Sequence, residues 1–451
     1  MSSPAPQEVH RRRVFYIPGY DPIHPRRYRE LYRREGRAQA KVSGYLLDLT
    51  GRQGGANPAR QVGADPARQG GADPARHGGA DPARKAGAGY GWRVSSIQDG
   101  ATTETEFDVL VWSDIVRASM EHGIARTYWI MARTAWTYIG SGALARLMRL
   151  RKGPVIAALY PVGMLLLQAV AAGFAGLLVA LIVTWVLGWL GQGGGLGAGL
   201  AGTSWIAALL LGGLGALAVL KHFKNVDNRL YVYYLMHDYA YSAATNGANA
   251  PELEARIADF AMRIEAALEE DIDEVLVVGH SSGAHLAVSV LADLHRGGRI
   301  PADGPRLAFL SLGQVVPMVS FLPDADRLRA DLAYLSARDI PWVDVTAPGD
   351  GCAFALCDPV AVSGVAPEGK RWPLVISAAF SQTLSPERWK TLRWRFFRLH
   401  FQYLCAFDRP ADYDYFQITA GPLSLESRYR ARAASNSRIE TPVSKYTRVA
   451  L

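Results

Sequence analysis

Apolar runs of period two and longer stretches of helical spacing follow one another along this chain. Val14-Phe15-Tyr16-Ile17 is a short strand-like run that turns out through Pro18-Gly19-Tyr20-Asp21-Pro22, and the spacing predicts a basic helix over 26–39. Further strands are predicted over 44–49, 92–97, 106–112, 230–236, 307–312, 341–346 and 374–377. Residues 275–278 are continuously apolar and rich in β-branched side chains, as a buried parallel strand reads. Leu286, Val290, Leu291 and Leu294 then recur at helical spacing, and Gly297 is a plausible stop. Upstream of that strand, Leu253, Ile257, Phe260, Ile264 and Leu268 share one helix face. Another helix starts at Ser385-Pro386-Glu387 and runs toward His400. Strands that alternate with helices predict an α/β fold: a mostly parallel central sheet with flanking helices.

One block breaks the pattern. Between Lys152 and Lys221 there is no Asp, Glu, Lys, Arg or His. A membrane crossing needs about 20 apolar residues, and this block predicts a transmembrane helical hairpin, 164–189 and 203–220, turned at Gly191-Gln192-Gly193-Gly194-Gly195. Residues 154–163 are expected as a lead-in broken at Pro161. Arg146, Arg149, Arg151 and Lys152 precede the block, and Lys221 and Lys224 follow it, which places both ends on the cytoplasmic side. From Gly123 to Lys152 no acid occurs, and Arg126 and Arg133 alternate with Tyr128, Trp129, Trp136 and Tyr138. Such a stretch suits a headgroup region, and equally a helix of the globular part.

Composition narrows the partners. The net charge of +8 over 451 residues suggests an anionic partner. No nucleic-acid-binding motif accompanies it, so an anionic bilayer surface fits better than nucleic acid. Cys352, Cys357 and Cys405 form no metal-like cluster and read as reduced thiols. Arg11-Arg12-Arg13 precedes no signal-like apolar region. Asn57, Asp65, Asp73 and Asp81 head an octapeptide repeat with little to bury but alanine, so 51–89 reads as a disordered loop.

The candidate chemistry lies at Gly279-His280-Ser281-Ser282-Gly283, between the buried strand and its helix. A serine hydroxyl becomes a useful nucleophile only beside a base and an oxyanion site. A sharp turn would expose Ser281, Gly279 and Gly283 would relieve crowding, and the Ser282 N–H would open the helix toward an oxyanion. The bare pattern arises by chance in a Gly-rich chain; the strand before it and the helix after it give it weight.

Here the chain resembles the α/β-hydrolase superfamily, and Gly279-His280-Ser281-Ser282-Gly283 is similar to the nucleophile elbow of its lipases and esterases. The resemblance covers about 14–408 without the repeat and the hairpin. It implies an α/β-hydrolase-like fold interrupted by the hairpin: a first part at 1–50, the repeat loop at 51–89, strands at 90–122, an interfacial segment and hairpin at 123–225, a second part at 226–425 and a loosely ordered basic tail at 426–451. It implies a second oxyanion donor in the backbone N–H of Tyr20. It also implies the order serine, acid, histidine. Asp350 stands after the strand where the acid is expected, with Asp358 and then Asp344 as alternatives. His400 is the histidine that follows Asp350. His280 and His285 read as local packing residues.

The expectation is a membrane-embedded serine hydrolase in a bacterial inner membrane, with its hydrolase domain on the cytoplasmic side. It would cleave an ester-type, lipid-like acyl substrate and need no metal or organic cofactor. The alternatives are a non-catalytic membrane scaffold of the same fold and an acyltransferase using the same three side chains.

Overall fold

The computed structural model describes residues 8–51, 90–120, 122–191 and 197–449. The loop expected at 51–89 lies outside the described residues but for Gly51, as does the body of the glycine turn, 192–195.

Eight strands form one sheet: β1 (Arg11–Ile17), β2 (Leu46–Gly51), β3 (Tyr90–Gln98), β4 (Ala101–Val109), β5 (Glu274–His280), β6 (Arg306–Leu312), β7 (Trp342–Thr346) and β8 (Leu374–Ser377). Their order is β2-β3-β4-β1-β5-β6-β7-β8. From β4 to β8 neighbours are parallel, and β2-β3-β4 is antiparallel. The period of two explains the two cores. Phe15, Ile17, Val275 and Val277 face one side, under the helices Pro251–Leu268 and Gly283–Arg296. Val14, Tyr16, Leu276 and Val278 face the other, under Arg26–Ser43 and Tyr415–Ala420. At the start of β1 and β5, Arg12 and Glu274 form a fully buried ion pair at 2.6 Å. Arg12 also donates to the carbonyls of Gly421 and Leu423, and Glu274 accepts from Leu425 N–H, so the pair is saturated.

The crossover from β4 to β5 holds the apolar insertion. The helices Lys152–Gly191 and Gly197–Asn225 are long and apolar enough to cross a membrane, with mean hydropathies of 2.5 and 1.8 over their candidate spans. Only 11% of each candidate window is buried. They come close at Gly176 and Gly212, where a Cβ on Gly212 would stand 2.7 Å from the Gly176 carbonyl oxygen.

Three expectations are corrected. Residues 230–236 are not a strand: they lead into the helix Val232–Ala243. The Asp227 carboxylate accepts from the N–H groups of Val232 and Tyr233, and Val232, Tyr233, Met236 and Ala240 pack at helical spacing on Leu165. Alternating aromatics fit both periods over so short a run. The helix is not broken at Pro161 but runs through it. Tyr160 on one side donates to the Leu230 carbonyl, and Val162 and Leu165 on the other pack on the helix Val232–Ala243 that follows it, which holds both halves in line. The tail from 426 is not loose. Ile439 bonds Leu356 and Asp358 through its backbone, Val443 donates to Val362, and Ser435 donates to Val375.

Candidate functional site

β5 ends at His280, and the next helix begins at Gly283. Between them Ser281 has φ 57°, in the left-handed region that a non-glycine residue adopts only under constraint. The constraint is visible on every side. Ser281 N–H donates to the Leu312 carbonyl at 2.9 Å. A Cβ on Gly283 would fall 2.1 Å from the Ile17 carbonyl oxygen, and one on Gly279 would fall 2.7 Å from Ala284 Cα. A Cβ on Gly19 would come within 2.9 Å of Ser281 Cβ. The Pro18–Asp21 turn after β1 is thus pressed against the elbow, and Gly19, Tyr20, Ser281 and Ser282 line one cavity.

The other groups arrive from the far end of the parallel sheet. The loop after β7 carries Asp350, and the short helix Phe396–His400 ends at His400. His400 Nδ1 lies 2.7 Å from Asp350 Oδ2. Burial would raise the Asp350 carboxyl, but His400, the Cys352 N–H and the Tyr403 hydroxyl together hold it below the ordinary carboxylate range. With Asp350 ionised, Nδ1 carries the proton and Nε2 is left as the basic nitrogen. Cys352 N–H donates to Asp350 Oδ1 at 2.9 Å, and Tyr403 O–H donates to Oδ2 at 3.0 Å. His280 Nε2 donates to the His400 carbonyl at 3.0 Å, fixing the end of that helix from the elbow side.

The rival acids are engaged elsewhere. Asp358 caps the helix Pro359–Val362 and pairs with Lys370 at 2.6 Å. Asp344 lies buried within β7 and accepts from Ser311. Its carboxyl is pushed up to about 8 by burial, so it is a neutral structural acid. Burial pushes His280 down to about 3 and His285 down to about 4, so both rings are neutral.

Ser281, His400, His280, His285, Cys352 and Asp238 face the same cleft, with about 1030 Å³ of space between its walls, part of it open to solvent. Ser281 makes no hydrogen bond to His400 among the described residues; such bonds often tighten only with substrate bound. The ligand atoms of Asp350, Cys352 and His400 lie within 4.8 Å of one another, the spacing of a metal site. Two of the three already bond to each other, and the second Asp350 oxygen accepts from the Cys352 N–H, so the carboxylate and the imidazole are engaged with one another.

Tyr403 and Asp238 escape a reading of the sequence alone. Tyr403 stands three residues after His400, the one signal that could have marked it. Asp238 follows the strand expected at 230–236, and only the helix Val232–Ala243 found there brings it to the cavity. The chain matches no family model, no curated protein and no solved structure.

Proposed function

We propose that this protein is a membrane-embedded serine hydrolase that cleaves an ester-type, lipid-like acyl substrate. One observation carries the reading: Ser281, held left-handed at a strand-to-helix elbow, shares a cavity with an imidazole paired at 2.7 Å to a buried carboxylate. The likeness of Gly279 to Gly283 to the α/β-hydrolase elbow supports it. Ser281 Oγ attacks the acyl carbonyl, and His400 Nε2 takes its proton and passes it to the departing alcohol. Water, activated by the same nitrogen, then releases the acid from the acyl-enzyme. Asp350 keeps the imidazole in the required tautomer, and the N–H groups of Ser282 and Tyr20 receive the oxyanion. The two apolar helices anchor the domain in a bacterial inner membrane on its cytoplasmic side. Pro154, at the base of the first apolar helix, lines the cavity, which favours an amphiphilic substrate arriving from the bilayer.

The test is labelling by a fluorophosphonate probe together with ester turnover. Ser281→Ala is expected to abolish both. His400→Ala is expected to cost roughly three orders of magnitude or more, with strongly non-additive combination. Asp350→Asn is expected to be severe as well, with Asp358→Asn and Asp344→Asn far milder. A fully active Ser281→Ala overturns the reading. One observation favours a second reading, a non-catalytic scaffold of the same fold: the open Ser281–His400 contact. Folded protein that the probe never labels would establish it.

A further inference from the structure

In a chain with a net charge of +8, no Lys or Arg lines the cavity beside Ser281 among the described residues. Its wall carries two carboxylates outside the His400 pair, Asp21 and Asp238. Asp21 is engaged: it accepts from the Tyr28 hydroxyl and pairs with Arg27 at 3.2 Å. Asp238, half-buried and lining the cavity, has neither a hydrogen-bond nor an ion-pair partner among the described residues. The neighbouring wall is aromatic. The rings of Tyr20, Trp112, Tyr234 and Tyr241 form a cluster with centroids 6.0–6.3 Å apart. Asp238 is close enough to Tyr20 and Tyr234 to act electrostatically on their hydroxyls.

We propose that this cavity binds the ammonium group of an acyl ester, with Asp238 as its counter-ion and the rings of Tyr20, Trp112, Tyr234 and Tyr241 as the wall that receives it. A desolvated cation gains from ring faces and from a facing carboxylate at once, and few other chemistries use both. An anionic headgroup would meet no Lys or Arg in the cavity lining among the described residues, and the nearby cation, Arg27, is already paired with Asp21. Burial raises the Asp238 carboxyl to about 7, with His400 opposing, and a cation beside it would favour its charged form. The ester part rests on the hydrolase reading; the cation site does not.

Two measurements separate them. In the first, purified full-length protein is titrated with butyltrimethylammonium and with butanesulfonate, followed by intrinsic fluorescence. The cation is expected to bind and the sulfonate not. Asp238→Asn is expected to weaken the cation roughly tenfold or more, and Asp238→Glu to restore part of the loss. In the second, kcat/KM is compared for a 2-(trimethylammonio)ethyl ester and the isosteric 3,3-dimethylbutyl ester of one acyl chain. The cationic ester is expected to lead by roughly tenfold, mainly through KM, and Asp238→Asn to collapse that ratio toward one. Equal binding of both ions, or an unchanged ratio in Asp238→Asn of wild-type melting temperature, overturns the proposal. A uniform loss on both esters overturns it as well, and makes Asp238 a positioning residue for His400. Cation binding without Ser281 labelling or turnover supports the site and removes only the hydrolase.

Discussion

Asp344 and Asp350 stand six positions apart, yet burial acts on them to opposite effect because their partners differ. Asp350 meets His400, the Cys352 N–H and the Tyr403 hydroxyl, and stays charged. Asp344 meets one serine hydroxyl and the nearby charge of Asp358, and is raised to about 8. An ordinary aspartate in the unfolded chain titrates near 4. The folded form of Asp344 therefore holds its proton more tightly than the unfolded form. Its contribution to stability is full below about pH 4 and is lost as the pH climbs to about 8. Asp344→Asn keeps a neutral group of similar shape and removes the titration. The variant is expected to gain on the wild type in melting temperature between about pH 5 and pH 8.5. Parallel melting curves across that range would show that Asp344 does not titrate in the fold.

At the scale of elements, the two apolar helices meet through glycines. A Cβ on Gly212 would fall 2.7 Å from the Gly176 carbonyl and 3.2 Å from the Ala180 side chain, while one on Gly213 meets nothing within 4 Å. Gly212→Leu is expected to force the helices apart, at a cost of about 1–3 kcal/mol. A melting-temperature loss in detergent, absent from Gly213→Leu, would show it; equal behaviour of the two variants would place the contact elsewhere. Elements such as these were legible where one physical signal dominated. Residues 275–278, the glycines around Ser281 and the following helix are local, so the elbow could be placed from the sequence. The uncharged block was legible from its composition. Elements carried by tertiary partners were not. β4 starts five residues before the predicted strand because Thr103 and Thr105 are buried with their hydroxyls donating to Val9 and Thr419 carbonyls, which no hydropathy pattern reveals. The helix Val232–Ala243 depends on Asp227 and on a neighbour far away in sequence, and with that helix went Asp238.

For the whole molecule, the question is how a sheet domain sits on so long an apolar insertion. The helix Lys152–Gly191 has 40 residues, which at 1.5 Å per residue is about 60 Å, twice a hydrocarbon core of about 30 Å. Its first part belongs to the globular body: Val155 and Leu165 are buried there, and a Cβ on Gly153 would rest 3.4 Å from Gly351, beside Asp350. The second part, with Phe174, Leu181, Trp185 and Trp189 exposed, is the part that a bilayer would cover. On the proposed membrane reading, the acid-bearing loop and the cavity mouth then stand just above the headgroups, on the side of Arg149, Arg151 and Lys152. Exposed Trp394 and Phe396 lie on the chain segment that leads to His400, where an interfacial surface would place them. On the same reading, the basic residues at both ends of the insertion favour an even number of crossings with both ends on the cytoplasmic side. A topology reporter fused after Leu451, and another in place of residues 54–85, are expected to report cytoplasm. A reporter inserted within 191–195 is expected to report the opposite side. A cytoplasmic signal from that insertion would leave both apolar helices on one side of the membrane, and the domain would then need another partner to cover them.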